Sequence, residues 1–146
     1  MYKKILVAYD NSEAAKRALA AAVELVEHDL AEKILVTMSY QPLDADPTFD
    51  VAARLAGNMN EEDEAQEAPV QALREELEPL IEGKSAVIDT FVTRAKPQDA
   101  IATIAEDNGC DLIVMGRRGL GGISAMLGSV SKAVLANSSL PVLLVR

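Results

Sequence analysis

Four short, almost unbroken apolar runs constrain this chain most: KILVAY (Lys4–Tyr9), KILVTMS (Lys33–Ser39), DLIVM (Asp111–Met115) and PVLLV (Pro141–Val145). Each is the length of a strand, and none shows the in-out alternation of a sheet with one wet face. Such runs fit parallel strands covered by helices on both sides. A fifth run, AVIDTFV (Ala86–Val92), carries Asp89 and Thr90 in its middle and suits a strand nearer the edge.

Helical periodicity fills the gaps. Ala15, Ala18, Leu19, Ala22, Val23 and Val26 recur at steps of three and four, with Asn11 or Ser12 placed to cap the helix. Val70, Leu73, Leu77, Leu80 and Ile81 form a second stripe, closed by Gly83. A third helix opens with Pro97, buries Ala100, Ile101, Ile104 and Ala105, and stops at Gly109. The last begins near Ser129, turns Val130, Ala133 and Val134 inward, and ends at NSSLP. The order βαβαβαβαβ predicts an α/β fold, a single doubly wound five-stranded parallel sheet with right-handed crossovers and helices on both faces.

The segment from Gln41 to about Ala68 breaks this rhythm. With Pro42, Pro47 and the run NEEDEAQE, it reads as a long acidic surface loop with a short helix around Val51–Leu55, or as a lid over a ligand. No repeat or boundary divides the chain, so residues 1–146 are expected to form one domain. Aromatics are only 3 % of the residues, so the core must be built from Ala, Val, Leu and Ile. The lone Cys110 excludes an internal disulfide and suits a reducing, cytoplasmic setting. No apolar run is long enough to span a bilayer. A net charge of −9 argues against a nucleic-acid partner, which requires a basic face. It does not argue against an anionic small ligand held by backbone N–H groups.

In a parallel sheet, ligands bind beyond the carboxyl ends of the strands, where the strand order reverses. Two strand ends carry informative residues here. The first ends in AYDNS, which places Asp10 at its carboxyl end; the fourth runs into GRRGLGGISAMLGSVSK, Gly116–Lys132. Glycines let a backbone approach a bulky anion, and successive N–H groups form an anion nest. Gly128 and Ser129 stand at the start of the last helix, where N–H groups and the helix dipole favour a phosphate. The plainer reading of the stretch is a flexible glycine-rich turn. Better-known phosphate motifs fail. GKS at Gly83–Ser85 follows a helix and lacks the first P-loop glycine, and the G-x-G-x-x-G fingerprint is absent.

ILVAYDNSEAAKRAL, CDLIVMGRRGLGG, GSVSKAVL and LPVLLVR together resemble the universal stress protein family, over nearly the whole chain and in the right order. The nucleotide-binding branch of that family carries G-x2-G-x9-G-[ST]. Gly116, Gly119, Gly128 and Ser129 match it, except that only eight residues, Leu120–Leu127, separate Gly119 from Gly128. The resemblance implies a sheet order of 3-2-1-4-5 and a pocket between strands one and four. It further implies ATP or another adenine nucleotide as ligand. Asp10 and Ala8 match positions lining the pocket, and Met38 a position whose backbone meets the adenine. Met115 and Gly116 match residues beside the ribose and phosphates. Gly119, Gly128, Ser129 and Val130 match the phosphate cradle.

The residues leave alternatives open. Asp10 is either a helix-start residue or a pocket carboxylate that meets the ribose, the base or a Mg²⁺ ion. Arg117 and Arg118 either pair with phosphates or sit in solvent. Met38 and Met115 also read as core residues. His28 falls at a helix C-terminus, and no candidate to orient an attacking water stands out, so hydrolysis is expected to be slow or absent. Three functions remain: an ATP-binding module whose occupancy regulates an unknown protein partner or its own assembly, a dimeric interaction protein of the same family that binds no nucleotide, and a true ATPase. The resemblance also implies a homodimer formed by the last strand, Pro141–Val145.

Overall fold

The computed structural model describes residues 1–39, 61–84, 87–117 and 127–146, with backbone alone for 61–67. The chain runs β1 (Tyr2–Ala8), α1 (Glu13–Glu27), β2 (Ala31–Ser39), α2 (Glu61–Ile81), β3 (Ile88–Thr93), α3 (Pro97–Asp107), β4 (Leu112–Gly116), α4 (Ser129–Asn137) and β5 (Val142–Val145). The strands form one parallel sheet in the order β3-β2-β1-β4-β5. The alternating run AVIDTFV does supply an edge strand, and β5 is the other edge.

Period-two alternation divides the apolar side chains between two cores. On one face, Ile5 and Val7 of β1, Tyr9 just beyond it, Ile34 and Val36 of β2, and Leu112 and Val114 of β4 pack against α1 and α2. On the other, Leu6, Leu35, Ile113 and Met115 pack against Ala100, Ile101, Ile104 and Ala105 of α3 and Val134 of α4. Both faces are covered, which is why the strand sequences are apolar throughout. Cys110 is buried in the second core, and burial raises its thiol pKa, so it behaves as a small apolar residue.

Helix ends follow local chemistry. Ser12 caps α1, its Oγ accepting from the Ala15 N–H at 3.1 Å. Gly109 adopts φ +67 after α3, where its N–H reaches the Glu106 carbonyl and the Cys110 N–H reaches that of Ala105. That is a Schellman closure, and a side chain at Gly109 would be strained. Gly83, at φ +81, closes α2, so the glycine of GKS belongs to a helix end.

One expectation needs correction. α2 begins at Glu61, so the acidic stretch read as loop through about Ala68 is helical from that residue onward. Pro69 lies inside the helix. Glu, Gln and Ala favour helix intrinsically, but without an apolar stripe they leave no periodic signal. The expected short helix around Val51–Leu55 lies outside the described residues. No helix among the described residues is long and apolar enough to cross a membrane.

Candidate functional site

At the carboxyl end of β1 the chain bends sharply. Asn11 takes φ 63, and Asp10 Oδ1 accepts from the Ser12 N–H at 3.0 Å. Asp10 thus helps to shape the start of α1 while standing exposed at the crevice. Beside it, Tyr9 is buried at 3 % exposure and donates its phenol proton to Glu76 Oε1 of α2 at 2.8 Å. Burial, followed by the bond to Glu76, raises the phenol pKa far above its ordinary range. Tyr9 is therefore a structural tie and not an acid–base group.

The end of β4 is built differently. The Arg117 N–H donates to the Val145 carbonyl at 2.7 Å, extending the β4–β5 ladder. The Gly128 N–H donates to the Arg117 carbonyl at 3.2 Å. Ser131, 1 % exposed, turns its hydroxyl to the carbonyls of Arg117 and Gly116, at 2.9 and 3.2 Å. The start of α4 is thus held against the end of β4. Gly128 is the N-cap, with φ −64 and ψ 158 and no side-chain cap. That conformation is open to every residue, so backbone geometry does not explain the glycine.

The structure brings together most of the residues singled out from the sequence. Gly116, Arg117, Gly128 and Ser129 meet at the β4–α4 junction. Ala8, Met115 and Val130 share the core on the α4 face. Met38 differs: its side chain packs into the opposite core, so only its backbone is on offer to the crevice. Gly119 and Arg118 lie outside the described residues. Asp10 contributes a carboxylate, but the described residues contain no cluster of three or more metal-ligating side chains.

Residues 1–146 match the family model described as the universal stress protein family. The chain belongs to the universal stress protein family. A universal stress protein of Thermus aquaticus, in the 3' region of a QAH/OAS sulfhydrylase gene, is 35 % identical over 151 residues covering all of both chains. The solved structure of MJ0577, from Methanocaldococcus jannaschii, superposes with a TM-score of 0.71 at 26 % identity, covering 99 % of this chain and 96 % of the other. A universal stress protein solved in complex with cAMP gives a TM-score of 0.67 at 26 % identity, covering 99 % and 97 %.

On this universal stress protein scaffold, one residue passed unnoticed in the sequence. Thr37 of β2 is 3 % exposed, and its Oγ1 has no hydrogen-bond partner among the described residues. The only sequence signal was a hydroxyl in the middle of KILVTMS, a run otherwise suited to burial on both faces.

Proposed function

We propose that this universal stress protein binds an adenine nucleotide, with ATP as the leading ligand, in the crevice at the carboxyl ends of β1, β2 and β4. One observation carries the reading: an uncapped helix N-terminus is held against the end of β4, with the Gly128 N–H 3.2 Å from the Arg117 carbonyl. The first-turn N–H groups of a helix have no acceptor within it, and the dipole adds partial positive charge. A phosphate group suits that position, and Gly128 allows a close approach. The relative complexed with cAMP, an adenine nucleotide, supports the same ligand class.

In this reading Gly116, Gly119, Gly128 and Ser129 cradle the phosphates, with Arg117 adding charge. Ala8, Met115 and Val130 form the apolar wall, and the backbone of Met38 meets the base. Asp10 meets the ribose, and its carboxylate is of the kind Mg²⁺ takes beside substrate phosphates. Nucleotide occupancy regulates a protein partner or self-assembly, and hydrolysis is slow or absent. His28 caps the far end of α1, away from the crevice, and takes no part.

Isothermal titration with ATP, ADP and AMP tests binding. Saturable heat with ATP is expected; no heat and no thermal shift at millimolar ATP sinks the reading. A phosphate-release turnover above about 1 s⁻¹ would make the protein an enzyme instead. The eight-residue spacing of Leu120–Leu127 favours a second reading, a dimeric interaction protein without nucleotide. In either case β5 is an open edge with Leu143 at 40 % exposure, and it pairs two copies of the chain. Light scattering at the mass of a single chain would refute that pairing.

A further inference from the structure

We propose that Thr37 is a base-recognising residue of this site, exchanging a hydrogen bond between its buried hydroxyl and the polar edge of the bound adenine. The inference rests on the adenine-nucleotide reading above and adds the residue that reads the base.

The placement of Thr37 follows from the sheet register. Phe91 pairs with Thr37, Thr37 with Ala8, Ala8 with Met115, and Met115 with Leu144, giving one row across all five strands near their carboxyl ends. Strand alternation puts Thr37 on the same face as Leu35, the face covered by α3 and α4. Ala8, directly beside Thr37, has the smallest side chain of the row and is only partly buried. The far end of the row is Phe91, 38 % exposed. From the β4–α4 junction to Thr37 is two strand spacings, about 10 Å. A nucleotide with its phosphate on α4 lays its base across that interval.

The energetics point the same way. A buried hydroxyl without a partner is costly, and native chains rarely retain one. Valine has nearly the same shape and would fill the position without that cost. The Thr37 backbone is already used, its carbonyl accepting from the Tyr9 N–H at 2.9 Å. The fold therefore holds a buried, unmet hydrogen-bonding group close to the carboxyl end of β2, beside Ala8. Its row neighbours Phe91, Ala8 and Met115 offer no polar side-chain atom, so a charged phosphate would be poorly accommodated there. A neutral base with one polar edge and apolar faces fits.

Isothermal titration with ATP and thermal unfolding without ligand, on the wild-type, Thr37→Val and Thr37→Ser chains, test the assignment. Thr37→Val is expected to bind ATP about tenfold more weakly. Without ligand it is expected to unfold about 3 °C higher, because the orphaned hydroxyl is gone and the shape is kept. Thr37→Ser keeps the hydroxyl and should hold ATP within about threefold of wild type. Unchanged ATP affinity in Thr37→Val overturns the assignment and leaves the nucleotide site standing. A Thr37→Val chain that unfolds at a lower temperature also overturns it, since the hydroxyl would then serve the fold through a bound water. A wild-type chain that takes up no ATP removes the nucleotide reading, and the role of Thr37 with it.

Discussion

Two helices begin at the same edge of the sheet and are finished in opposite ways. α1 starts with Ser12, whose hydroxyl accepts from Ala15, while Asp10 accepts from Ser12 and Glu13 adds an acid to the first turn. Its donors and its dipole are met by its own sequence. α4 starts with Gly128, has no side-chain cap and carries no acid in its first turn. In a chain with 23 acidic residues, leaving that turn free of acid keeps it hospitable to an anion. The difference separates an end finished by its own side chains from an end with no side-chain cap.

The largest expected effect breaks the α4 side of this comparison. Gly128→Val should weaken ATP binding on the order of a hundredfold in a titration, because side-chain atoms would stand where the phosphate approaches. Its φ and ψ suit valine, so unfolding should cost no more than about 1 kcal/mol relative to wild type. Equal losses of stability and affinity would mean the glycine serves the fold.

The other two variants sharpen the α1 side, where stability should change and affinity should not. Tyr9→Phe removes the bond to Glu76 and should cost about 1.5 kcal/mol at pH 7 in denaturant unfolding. The folded pKa of Tyr9 is raised above its unfolded value, so its contribution is complete below about pH 10 and is lost as pH rises beyond that. The gap between wild type and Tyr9→Phe should therefore narrow in alkali; a gap that widens would contradict the assignment of Tyr9 as a buried neutral donor. Ser12→Ala should cost about 1 kcal/mol through the lost cap, with ATP affinity within about twofold of wild type.

Much of this architecture was legible because it depends on short-range chemistry. Apolar runs marked the strands, and Ser12, Pro97, Gly83 and Gly109 marked helix ends by local backbone requirements. The resemblance supplied the strand order that the register bears out. The start of α2 was not legible, because a charged helix without an apolar stripe looks like a solvated loop. Thr37 was not legible either. Its hydroxyl stands out only once β2 is set beside Ala8 and beneath the α3–α4 face, a matter of pairing across distant segments. The bond between Tyr9 and Glu76 joins residues 67 positions apart and was hidden for the same reason.

The buried hydroxyl of Ser131 has a consequence for how tightly such a site can hold its ligand. By engaging the carbonyls of Gly116 and Arg117, it fastens the first turn of α4 to the last residues of β4. The entropy of bringing those two segments together is therefore lost when the chain folds, before any ligand arrives. A nucleotide that touches both segments would meet a preorganised surface, and more of its contact energy would remain as affinity.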